Sequence, residues 1–330
     1  MKKLLCVICA ACLLLCGCAA PTDSSSDENP AEEAKTTIRV GGLTGPTSMG
    51  MVKLMSDYDS GETENTYEFT LQSEAAAFVP ALAKGEIDIA AVPANLASVI
   101  YNNTDGGVKV LAVNTLGVLY IVERGDTVQT IADLAGKTIY ATGAGAAPEY
   151  ALRYLMSENG MDADKDITVQ WCADTTEALS YIARDANAVA MLPQPFVTAA
   201  QAQVNDLRIA IDLNAEWEKL DNGSAMVTGV LVVRSEFAEK YPLQLEKFME
   251  EYEASVSFVL NNTEAAAELI GQYEIVKAPV ALKALPYCNI TFMSGADMKT
   301  AMEGYLNVLF ELNPTAVGGK LPEGNFYYGA

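Results

Sequence analysis

The segment Thr37-Ile38-Arg39-Val40-Gly41-Gly42-Leu43-Thr44-Gly45-Pro46-Thr47-Ser48 passes from an extended, β-branched run to glycines and then to hydroxyls that can cap a helix. Thr37 to Val40 reads as a strand and Gly41 to Pro46 as a turn. The helix after it carries Met49, Val52, Leu54 and Met55 as candidate apolar positions, more suited to a core than to a ligand. The same order then recurs. Tyr67 to Leu71 is a second strand, and Ser73 to Ala83 an Ala-rich helix stopped by Lys84-Gly85. Ile87 to Val92 is a third strand, apolar almost throughout and so expected to be buried on both faces. Pro93-Ala94-Asn95 opens another helix, and Val108 to Val113 is a fourth strand. Strands alternating with helices at this spacing predict an α/β fold of right-handed βαβ units with a largely parallel sheet.

A second set begins after the apolar segment Gly117 to Glu123. Lys137 to Ala141 is a strand, Thr142 to Ala147 a Gly/Ala turn, and Pro148 to Glu158 a helix. Ile167 to Trp171, Ala188 to Leu192 and Leu207 to Ile211 add strands, and Val227 to Val233 is again apolar. Near the end, Leu245, Phe248, Met249, Tyr252, Val256 and Val259 share one helical face. If Gly117 to Glu123 and Val227 to Val233 both cross between domains, they form a hinge. The division then places 37–118 and 229–330 in lobe I and 119–228 in lobe II.

The N-terminus reads differently. Lys2 and Lys3 precede an apolar stretch from Leu4 to Leu15, too short to span a bilayer, which needs about 20 residues. Leu15-Cys16-Gly17-Cys18 follows, then small residues and a polar run to Lys35. The Leu-x-Gly-Cys ending resembles the lipobox of bacterial lipoproteins. The resemblance implies a signal peptide over 1–17 and fatty acyl chains such as palmitate on Cys18, anchoring the protein outside the cytoplasm. Residues 18–36 are expected to be a disordered tether.

Composition narrows the function. The chain has 330 residues, half of them apolar, and a net charge of −22, the opposite of what a nucleic-acid binder carries. Five of seven cysteines belong to the signal, leaving Cys172 and Cys288, so a disulfide scaffold is excluded. Histidine is absent, which removes the commonest general base, the Ser-His and Cys-His pairs and all His-based metal sites. Neither cofactor nor metal is called for.

Three further stretches carry a resemblance. Gly85-Glu86-Ile87-Asp88-Ile89-Ala90, Asp133-Leu134-Ala135-Gly136-Lys137-Thr138-Ile139 and Arg234-Ser235-Glu236-Phe237 resemble, in that order, segments of type II periplasmic binding proteins of the nitrate, sulfonate and taurine type. The resemblance covers most of the mature chain. It implies two α/β lobes with mixed, mostly parallel sheets and two hinge crossings, a ligand clamped between the lobes, and an ABC permease and ATPase as partners.

Ligands of open α/β sheets bind beyond the carboxyl ends of the strands, where loops lead into helices with unpaired N–H groups. Three loops fit that place. The first holds Leu43, Thr44, Gly45, Thr47 and Ser48, the second Asn95, and the third Thr142, Gly143, Gly145 and Ala146. Each is also an ordinary turn or cap, but three at one cleft favour binding. Gln194 between two prolines suits either a directed hydrogen bond or a plain turn. Asn114 and Thr115 stand at the first crossing, and Tyr287 is a candidate aromatic wall. No Arg occurs in the three loops, and Arg153, one turn into a helix, reads by default as a surface residue. The expected ligand is a small organic carboxylate, sulfonate or polar heterocycle, bound by a monomer. A sensor of the same fold, and an enzyme of the thiamine-pyrimidine or menaquinone-pathway type, are the alternatives. The enzyme reading lacks the His and Cys-rich motif of the pyrimidine synthases.

Overall fold

The computed structural model describes residues 36–330; the signal segment, Cys18 and the tether up to residue 35 lie outside the described residues. In chain order the strands are β1 (Thr37–Leu43), β2 (Thr66–Gln72), β3 (Ile89–Pro93), β4 (Val108–Leu116), β5 (Leu119–Glu123), β6 (Thr138–Ala141), β7 (Thr168–Trp171), β8 (Val189–Pro193), β9 (Arg208–Asp212), β10 (Val227–Arg234) and β11 (Ile290–Met293). They form two sheets flanked by helices, one ordered β11-β4-β10-β3-β1-β2 and the other β7-β6-β8-β5-β9.

β1 does not turn at Gly41. Gly41 and Gly42 stay in the sheet, opposite Thr70 and Leu71 of β2. Their bare backbone serves packing instead: a Cβ on Gly42 would lie 2.4 Å from Ser48 Oγ, so only glycine lets the next helix press on the strand. That helix is in two pieces, Pro46–Met49 and Val52–Asp59. Ser255, on the long helix Pro242–Asn261, bridges the break. Its hydroxyl donates to Gly50 O (2.7 Å) and accepts from Leu54 N (3.0 Å). Met49, Val52, Leu54 and Met55 are all buried, as their spacing predicts, against Leu245, Phe248, Tyr252 and Val256 of the long helix.

β1 runs parallel to β2 and β3, and β6 parallel to β7 and β8. β10 is antiparallel to β3 and β4, β11 to β4, and β5 to β8 and β9. The sheets are therefore mixed, with more antiparallel pairing than the strand–helix alternation predicts. Only Gly117 and Val118 separate β4 from β5. The segment Gly117 to Glu123 therefore contains the first crossing at its start, whereas Val227 to Val233 follows the second. β5 belongs wholly to the second sheet and β10 wholly to the first. The chain passes between sheets at Gly117-Val118, and again between helix Leu213–Glu218 and β10.

Each sheet is tied at one end by a buried carboxylate. Asp88 accepts from Arg39 Nε (2.8 Å), Nη2 (2.6 Å) and backbone N (3.1 Å), and from Arg234 Nη1 (3.2 Å), joining β1, β3 and β10. Glu123 accepts from Thr127 N (2.9 Å), Thr127 Oγ1 (2.8 Å), Val128 N (3.0 Å) and Arg208. Cys172 and Cys288 are free and buried, and burial pushes the Cys288 thiol up to about 12.

Burial alone would raise the Glu123 carboxyl, but the donors from Thr127, Val128 and Arg208 outweigh it and hold it below its ordinary value. A carboxyl depressed in the folded state contributes fully above its unfolded value of about 4.3 and loses that contribution as pH falls through the folded one. Glu123→Gln is therefore expected to cost about 2 kcal/mol at neutral pH. The gap to the wild type should narrow below about pH 4 in urea unfolding curves. A gap constant down to strong acid would show that the charge is not what matters.

Candidate functional site

A cavity of about 330 Å³ opens at the ends of strands from both sheets. The loop after β1 supplies Leu43, Thr44, Gly45, Pro46 and Thr47. Ser73 follows β2, and Pro93 and Asn95 come from the end of β3 and the helix it enters. From the second sheet come Leu119, Pro193 at the end of β8, and Ala147 with Pro148 at the start of helix Ala147–Glu158. Val118 lies on the crossing, Met226 and Thr228 at the start of β10, and Tyr305 on helix Gly295–Leu312.

The first loop is held from behind. Asn114 Nδ2 donates to Thr47 O (2.9 Å) and to Tyr252 Oη (3.3 Å), while Asn114 Oδ1 accepts from Thr115 Oγ1 (3.1 Å). Thr44 N donates to Gln72 O (2.9 Å) and Ser48 N to Gly45 O (3.1 Å). Thr47 Oγ1 and Ser48 Oγ are buried with no partner among the described residues. Asn95 Nδ2 donates to Ala316 O (3.2 Å), fixing that amide on the C-terminal segment. At the crossing, Gly117 N donates to Asn214 Oδ1 (3.0 Å), Asn289 Nδ2 to Gly117 O (2.5 Å) and Gln194 N to Val118 O (2.9 Å).

Of the residues singled out from sequence, Leu43, Thr44, Gly45, Thr47 and Asn95 line the cavity. Ser48 is buried against Gly42 behind it. Asn114 and Thr115 are buried supports of Thr47. Of the third loop only its last residue, Ala147, lines the cavity, with Pro148 after it; Thr142, Gly143, Gly145 and Ala146 do not. Within that loop Thr142 is half-buried, Gly143 curls against Pro148, and Gly145 and Ala146 face outward. Gly145 N donates to Glu149 Oε2 (2.7 Å), so its amide is occupied. Gln194 is buried and turned inward, its Oε1 accepting from Thr198 N (3.2 Å) and Oγ1 (2.9 Å) while Nε2 stays unpartnered. Tyr287 is 45% exposed and away from the cavity, its carbonyl accepting from Tyr120 Oη (2.7 Å). Arg153 is bound to Glu149 (2.7 Å) and Asp164 (2.9 Å).

Sequence reasoning missed Ser73, Val118, Met226, Thr228, Pro193 and Tyr305 as wall residues. Ser73 stands just past a strand that was read correctly, so the strand-end rule itself could have found it. Thr228 starts a strand, and only the antiparallel setting of β10, with Gly229 opposite Pro93, turns that start toward the cavity. Nothing local marks Tyr305. Among the described residues no cluster of three or more His, Cys, Asp or Glu could hold a metal.

The family described as "ABC transporter, phosphonate, periplasmic substrate-binding protein" matches residues 51–278. The chain belongs to that family. As a periplasmic substrate-binding protein it holds a small-molecule ligand and works with an ABC permease. No curated protein matches its sequence. Solved structures carry the same fold. An ABC transporter protein from Parabacteroides distasonis superposes with a TM-score of 0.74 at 23% identity, over 88% of this chain and 98% of its own. The aliphatic sulphonate binding protein SsuA of Escherichia coli gives 0.68 at 16%, over 87% and 92%. The alkanesulfonate-binding SsuA of Xanthomonas axonopodis pv. citri, bound to MOPS, gives 0.62 at 14%, over 88% and 96%. No helix among the described residues of this substrate-binding protein is long and apolar enough to cross a membrane.

A Cβ on Gly229 would lie 2.4 Å from Thr47 Cγ2 and 2.7 Å from Asn114 Oδ1. Gly229→Ala should therefore cost about 1–3 kcal/mol and push Thr47 out of place. Denaturant unfolding reads the stability loss. Unchanged stability would mean that Thr47 and Asn114 yield freely and do not form a fixed wall.

Proposed function

We propose that the protein is the membrane-tethered capture component of an importer. It clamps a small organic ligand between the lobe of residues 37–118 with 229–330 and the lobe of residues 119–228, and delivers it as a monomer to an ABC permease driven by its ATPase. The observation that carries this reading is a cavity walled by strand ends of both sheets. A ligand there touches both lobes, so it favours their closure, and release follows their separation. Leu43, Thr44, Gly45, Thr47 and Asn95, with Ser73, Thr228 and Tyr305, are the proposed contact set. The lining holds hydroxyls and an amide but no acid or base to activate them, which supports capture without turnover. Cys18 is the proposed lipidation site, on the strength of the Leu15-Cys16-Gly17-Cys18 run.

Gly45 supplies the test. Its backbone is extended at φ 162°, and a Cβ there meets nothing within 4 Å. Gly45→Asp should therefore fold normally while filling the cavity with bulk and charge. A metabolite that raises the melting midpoint of the wild type contributes about 2.7 kcal/mol at 100 times its dissociation constant. In Gly45→Asp that shift should vanish with the unliganded midpoint unchanged. A full shift in the variant would move the site elsewhere.

The anchor is tested separately. Cys18→Ser should move the protein from the membrane fraction to the soluble extracytoplasmic fraction. If it stayed with the membranes, the lipobox reading would fall.

A further inference from the structure

We propose that the cleft takes an uncharged ligand, with an apolar or aromatic body and a polar end that both donates and accepts hydrogen bonds, in preference to a phosphonate, sulfonate or carboxylate. The inference rests on the cavity being the ligand site, as argued above. It departs from the anion that the family's description names and narrows the classes expected from sequence.

The lining contains no Lys, Arg, Asp or Glu. A buried anion needs a counter-charge or a surplus of donors, and without them its desolvation costs several kcal/mol. Arg153, one turn into the helix that starts at the cavity wall, is held by Glu149 and Asp164. Among the backbone amides of the candidate loops, Thr44 N, Ser48 N and Gly145 N are each bonded within the protein. The net charge of −22 also works against capture of a multiply charged anion from solution.

The polar groups that remain are neutral. Thr44, Thr47, Ser73 and Thr228 bring hydroxyls, each able to donate and accept. Burial alone pushes the Tyr305 phenol up, so it stays protonated and uncharged. Asn95 gives one N–H to Ala316 O and keeps the other N–H and Oδ1, so it too can both donate to and accept from a ligand. The rest of the lining is largely apolar, Leu43, Val118, Leu119 and Met226 with prolines from four loops, which suits an apolar body on the ligand.

Matched probes separate charge from shape: benzamide against benzoate, benzenesulfonamide against benzenesulfonate, and benzyl alcohol against phenylphosphonate, each titrated by calorimetry at neutral pH. The neutral member of a pair should bind at least about tenfold more tightly, with little dependence on salt. Equal or tighter binding by the acids overturns the proposal, and so does silence of all three neutral members. Gly45→Leu, which adds bulk without charge, separates this failure from that of the cleft itself. An acid that binds the wild type and is lost in Gly45→Leu leaves the cleft as the site and removes only the charge preference. A neutral probe lost in Gly45→Leu supports both readings. Any probe indifferent to Gly45→Leu sits elsewhere and takes the cleft reading down as well. Thr228→Arg is the converse arm: a cation placed in the cavity should reverse the order within each pair.

Discussion

The insertion of β10 between β3 and β4 is the constraint on which the rest of the molecule depends. β10 brings the chain back from the second sheet, and it enters antiparallel to both neighbours, with Gly229 opposite Pro93 and Thr115. Val230, Leu231, Val232 and Val233 are fully buried there. A strand so placed cannot leave without exposing both of its faces and abandoning two ladders of hydrogen bonds, which ties the segment carrying the second sheet to the first sheet. The same strand shapes the site. Gly229 leaves room for Thr47 and Asn114, and Thr228 beside it becomes part of the wall.

The stretches that carry the resemblance do not line the cavity. Asp88, in one of the stretches that carry the resemblance, is the shared acceptor of Arg39 and Arg234. Asp133, in another, closes a capping box with Thr130 before β6. Arg234, in the third, is the other half of the Asp88 cluster. These are joints of the scaffold: buried Asp88 must keep its two arginines, and exposed Asp133 caps the turn before β6, so residue type is dictated locally by partners. The cavity wall has no such requirement. Hydroxyls, prolines and aliphatic side chains fill it without a motif, which is why the scaffold can be recognised while the ligand is not named by it.

The polar residues around the cleft divide into contacts and supports, and burial decides which is which. From sequence Asn114 and Thr115 are candidate ligand groups at a crossing, and Gln194 either a directed hydrogen bond or a plain turn. In the fold the Asn114 amide grips the Thr47 carbonyl, the Thr115 hydroxyl holds the Asn114 side chain, and Gln194 accepts from Thr198 while its backbone N–H binds Val118 O. A buried amide is costly unless bonded, so a strand-end Asn or Gln next to a loop is drawn to the loop's own carbonyls and amides first. The glycine-rich loop before helix Ala147–Glu158 follows the same logic. Glu149 reaches back to Gly145 N and takes the amide that an anion would have used.

Local pattern was enough for the order of β1 to β10, the two α/β sets and the apolar faces of the first and longest helices, while β11 has no counterpart in the sequence reading. These features follow from periodicity, glycine and proline placement and helix starts, all of which act over a few residues. The lack of histidine likewise removed Ser-His and Cys-His pairs and His-based metal sites before any fold was considered. What the tertiary structure alone decided is direction and facing. Whether β5 and β10 run parallel or antiparallel to their neighbours depends on where the chain re-enters each sheet. That in turn decides that Thr228 lines the cavity, that Tyr305, far along the chain, joins it, and that Gly145 and Tyr287 do not. Such contacts are set by long-range packing between lobes, and no short-range pattern of side chains encodes them.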